Sequence, residues 1–96
     1  MHEVNAYQGE VNFKGEKGDS KDFQTGGEPE VALENAKSWV EAETRRYLRS
    51  NTSVLTSRWW EAGSVTAILV DSGAADEPTE TLRCKLVDEG PVLEWG

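Results

Sequence analysis

One stretch of this chain, Pro29 to about Arg49, carries a sustained helical apolar period, and the residues that follow it read as strands. Leu33, Ala36, Val40 and Tyr47 recur at intervals of three, four and seven residues, with Ala32 and Trp39 widening the stripe. Gly26-Gly27-Glu28-Pro29 bounds it on the N-terminal side, where proline at the first helical position loses only an N–H that had no partner. Glu28, Glu30 and Glu34 near the start and Arg45, Arg46 and Arg49 near the end complement the helix dipole. Glu41 and Arg45 form a favourable i,i+4 pair, and Ser50-Asn51 is a reasonable stop. A lone amphipathic helix has to bury its stripe against a sheet.

The flanking segments supply the strands. Glu10 to Lys14 alternates polar and apolar residues, Gly15 to Lys21 is a turn-forming stretch, and Asp22 to Thr25 can pair back as a hairpin. Val4, Ala6 and Tyr7 either extend the first strand or belong to a loose tail over residues 1–9. After the helix, Ser53 to Trp60 is rich in β-branched and aromatic residues, Glu61-Ala62-Gly63 reads as a turn, and Ser64 to Val70 is the most hydrophobic strand. Asp71 to Thr79 is loop-like, and Glu80 to Val87 alternates with Leu82, Cys84 and Leu86 on one side. Val92 to Trp95 closes a last short strand after the turn at Asp88 to Pro91. The expectation is an α+β fold: an antiparallel sheet of about five strands, order ββαβββ, with one long helix on one face. Ninety-six residues make a single domain, 1–96.

Composition narrows the function classes. Eighteen acids against 10 bases give a net charge of −8, which disfavours binding to duplex nucleic acid. That charge also serves solubility alone. Cys84 is the lone cysteine, which fits a reducing compartment; its alternation with Leu82 and Leu86 makes it a core residue before it is a nucleophile. The one histidine, His2, stands far from Cys84 in sequence, so neither a catalytic triad nor a zinc site is expected. Gly15 to Gly18 lacks the spacing of a phosphate-binding loop, and Asp71 to Glu80 lacks the pattern of a calcium loop. No cofactor, no metal and no enzymatic activity are expected. The N-terminal residues lack the pattern of a signal peptide, and Ala67 to Val70 is far too short to span a membrane, so the cytoplasm is the expected location.

The candidate site comes from the face the helix leaves open. Neighbours in a strand point to opposite faces, so one of Trp59 and Trp60 faces away from the helix. Arg58 shares parity with Trp60, and burying an unpartnered arginine is costly. Trp59 is therefore assigned to the core and Trp60 to the open face, unless a β-bulge near Gly63 reverses the pair. The expected open face holds Arg58, Trp60, Ile68, Val70, Arg83 and Lys85, an apolar patch with every Lys and Arg of the second half. Arginine stems lying over a tryptophan would produce the same pattern with no ligand. Arg45 and Arg49, one helical turn apart, form a second candidate pair for an anion, set against simple dipole compensation.

The functional expectation is a non-catalytic interaction module that binds another protein or itself through the open face or an edge strand. Small accessory or inhibitor proteins of phages and mobile elements share its size and charge. The alternative is a binder of a small anionic ligand, a nucleotide or short single strand, on the same Trp/Arg/Lys face.

Overall fold

The computed structural model describes residues 3–13, 16–69 and 79–96. The elements are β1 (Val4–Phe13), β2 (Glu16–Gln24), α1 (Pro29–Ser50), a 3₁₀ turn (Thr52–Val54), β3 (Trp60–Leu69), β4 (Glu80–Val87) and β5 (Gly90–Trp95). All strands join one antiparallel sheet in the order β2-β1-β3-β4-β5, so the α+β class and the ββαβββ order both hold.

The topology places the helix. β2 and β3 both pair antiparallel with β1, so they run in the same direction on either side of it. Strands related in that way need a long crossover, which α1 supplies. The chain leaves β2 through Gly26 (φ 54°) and Gly27 (φ 90°), backbone conformations that side chains rarely tolerate. Pro29 then opens the helix, with the Ala32 N–H donating to the Glu28 carbonyl at 3.3 Å. The helix packs on β1, β3 and β2. β4 and β5 therefore extend beyond its main cover.

Small residues let the layers approach. Ala32, Ala36 and Val40 are buried, and Val40 lies over glycines of the two central strands. A Cβ on Gly63 would stand 2.6 Å from Val40 Cγ1 and 2.6 Å from the Glu10 carbonyl oxygen. Tyr7, Val11, Ala62, Val65, Leu82 and Cys84 complete the core from the sheet side.

Four expectations change. The turn expected over Asp88 to Pro91 is shorter, with Gly90 and Pro91 paired in β5, whereas of the two readings of Val4, Ala6 and Tyr7 the strand holds, since Tyr7 pairs with both Phe23 and Ala67 inside the sheet. β2 begins at Glu16, so most of the stretch read as a turn is paired strand. Ser53 to Trp59 is not a strand; its first residues form the 3₁₀ turn, and one recorded sheet-like bond joins the Leu86 N–H to the Thr56 carbonyl at 2.6 Å. Glu61-Ala62-Gly63 is no turn but a bulge inside β3, where the pairing steps from Glu61↔Arg83 to Gly63↔Leu82. No helix is long and apolar enough to cross a membrane among the described residues.

Candidate functional site

The bulge at Ala62 decides where the indoles go. Gly63 and Leu82 face the helix, and two residues further along β4 Cys84 faces the same way. Trp60 is paired with Cys84 and packs against the core cluster. Trp60 is thus on the helix side, opposite to its expected placement. Trp59, expected in the core, meets Arg83 and Lys85, the two cations that β4 directs to the open face. The extra residue shifted parity by one.

The six predicted open-face residues do not form one patch. Arg83 and Lys85 stand together, 4.7 Å and 4.6 Å from the Trp59 ring centre. Ile68 is on the open face, paired with Ala6 near the other end of β3. At about 3.3 Å per residue, it is on the order of 25 Å from the start of that strand. Arg58 is exposed in the segment before β3, and Val70 lies outside the described residues. Between these positions the open face is polar, with Gln8 and Glu10 from β1 beside Thr66 and Ser64 from β3. Arg83 also binds Glu94 across the β4–β5 pair. Its charge is already shared between a carboxylate and an indole of the same chain. The arrangement is an internal cation–π cluster, with exposed Val87 and Val92 beside it on the same face.

The second predicted pair has different surroundings. Arg45 and Arg49 line a groove of about 370 Å³ together with Leu48, Thr52, Leu55, Pro91 and Leu93. α1 provides one wall, the 3₁₀ turn and Leu55 the end, and β5 the floor. The helix-side residues of β5 are Pro91, Leu93 and Trp95, because they pair with Leu86, Cys84 and Leu82. At the far end the Trp95 Nε1–H donates to Glu41 Oε1 at 3.2 Å, and Lys37 Nζ stands 5.2 Å from the same ring. The expected Glu41–Arg45 pair is replaced by this indole bond. Among the described residues, Arg45 and Arg49 form no ion pair, whereas Arg46 binds Glu43.

Two titrating groups are tied to the same half of the molecule. Lys37 Nζ contacts Glu80 Oε2 at 2.9 Å, and that hydrogen bond holds its pKa above the ordinary lysine value. Cys84 is fully buried, and burial pushes its thiol up to about 11. It is protonated and inaccessible at neutral pH, which gives it no nucleophilic character.

Sequence reasoning reached Arg45 and Arg49 through their spacing and missed the groove beneath them. Leu48 carried a usable signal, since it is four residues beyond Thr44 and eight beyond Val40 on the buried face. Leu55 and Pro91 carried none, because only the 3₁₀ turn after the helix and the return of β5 bring them together there. No protein-family model, curated protein or solved structure matches the chain.

Proposed function

We propose that this chain is a non-catalytic interaction module that docks an acidic, partly apolar segment of a partner protein in the groove between α1 and β5. The observation that carries the reading is chemical. Leu48, Leu55, Pro91 and Leu93 make an apolar floor, and two arginines that form no ion pair among the described residues stand on its rim in a chain of net charge −8. Apolar floor with basic rim is complementary to a segment that offers a greasy side chain flanked by carboxylates. Leu86, more than one-third exposed and paired with Pro91, continues the apolar surface on the helix side of the β4–β5 hairpin. The open sheet face supports this function less well, because its cations are engaged by Trp59 and Glu94.

Selection of a displayed random octapeptide library on the purified protein tests the reading. Enrichment of peptides with an apolar residue flanked by Asp or Glu is expected. Arg45 and Arg49 are both exposed, so R45E/R49E folds normally and loses that enrichment. Enrichment of the same peptides on both proteins contradicts the assignment.

A further inference from the structure

We infer, resting on the docking reading above, that the partner segment binds as an extended strand added to β5, becoming the sixth strand of the sheet. Backbone geometry carries the step. Thr81 and Gly96 exchange both backbone hydrogen bonds, each 3.0 Å. In an antiparallel ladder such pairs alternate with pairs that make none, so the next bonded pairs are Arg83 with Glu94 and Lys85 with Val92. The backbone groups of Pro91, Leu93 and Trp95 therefore point away from β4, at the edge of the sheet. Among the described residues nothing bonds the outward N–H of Leu93 or Trp95. Pro91 stands where an edge strand tolerates proline, with its missing N–H on the outer side.

These three residues also direct their side chains to the helix side, where Pro91 and Leu93 line the groove and Trp95 stands at its far end. A strand paired with Leu93 and Trp95 consequently presents every second side chain beside that floor, under Leu48, Arg45 and Arg49. Main-chain bonds would hold it, and the groove would read alternate residues. The preferred segment has one apolar residue with an acidic residue two positions to either side.

The two edges of the sheet are treated differently. On β2, Asp19, Lys21 and Asp22 are exposed charges, the usual protection against unwanted pairing. β5 carries one charge, Glu94, directed to the opposite face and bound by Arg83. A second copy of the chain is a poorer occupant, since each copy brings a charge of −8.

Amide hydrogen exchange, followed by NMR on the full chain with the most enriched octapeptide, tests the inference. Exchange of the Leu93 and Trp95 amides should slow by at least about tenfold, while Val92 and Glu94, already bonded to β4, change little. Side-chain shifts at Leu48, Arg45 and Arg49 without slowing at Leu93 and Trp95 would overturn strand addition and leave the docking site standing. No enriched peptide, or none that perturbs these residues, overturns both. Protection of Leu93 and Trp95 that grows with protein concentration in the absence of peptide assigns the edge to a second copy and also overturns the inference.

Discussion

Trp59 and Trp60 show how much one residue can redirect. Their adjacency requires that they face opposite ways, which is legible in the sequence; which of them goes inward depends on an unpaired Ala62 that no local propensity announces. Because Trp60 packs on the core and Trp59 lies under two cations, the two truncations differ. Trp60→Ala should cost about 3 kcal/mol in urea unfolding. Trp59→Ala should cost about 1 kcal/mol, the scale of exposed cation–π contacts. The reverse ranking would place the bulge elsewhere. Gly63→Ala is expected to destabilise by about 2 kcal/mol, since its Cβ would press on backbone and on Val40 at 2.6 Å each.

Cys84 supplies a pH signature. Its folded pKa of about 11 lies above the unfolded value of 9.0, so its contribution is complete below pH 9 and is lost as pH rises towards 11. Between pH 9 and 10 the loss is about 1 kcal/mol. Denaturation of wild type and Cys84→Ala across that interval should show the slope in the first and a flatter line in the second. Lys37, also raised, loses its contribution only at higher pH, through and above its ordinary value of 10.5.

At the scale of elements, the helix was the most legible part. Its period, its proline start and its asparagine stop placed Pro29–Ser50 to within a residue. The strand Glu80–Val87 was also readable, because clean alternation survives when one face is buried, and the last strand was read from Val92, two residues short of its start at Gly90. Ser53 to Trp59 misled, for β-propensity reports fitness for a pleated surface and these residues are spent crossing from helix to sheet. The first strand was read outright only from Glu10, because Gln8 and Gly9 separate that alternation from Val4, Ala6 and Tyr7. Gly9 is required there by Trp39, whose ring carbon would stand 3.0 Å from a Cβ at that position. β1 is paired on both sides while β2 and β5 are edges, so amide exchange in β1 should be the slower. Faster exchange at Tyr7 and Val11 than at Phe23 would contradict the strand order.

For the whole molecule, the helix covers the first three strands of the sheet and leaves the last two reaching past it. The groove results from that offset, so no single segment encodes it. Its arginines were visible as a pair, whereas its floor comes from three separate stretches of chain. Electrostatics then sets its character: the molecule repels anions at long range, and Arg45 and Arg49 reverse that locally. The most direct measurement is the affinity of the enriched acidic peptide against salt concentration, in wild type and R45E/R49E. The account predicts binding to wild type that weakens as salt rises, and about tenfold or greater loss in the double variant at low salt. Equal affinity in the two proteins, or binding to wild type that tightens with salt, would contradict it.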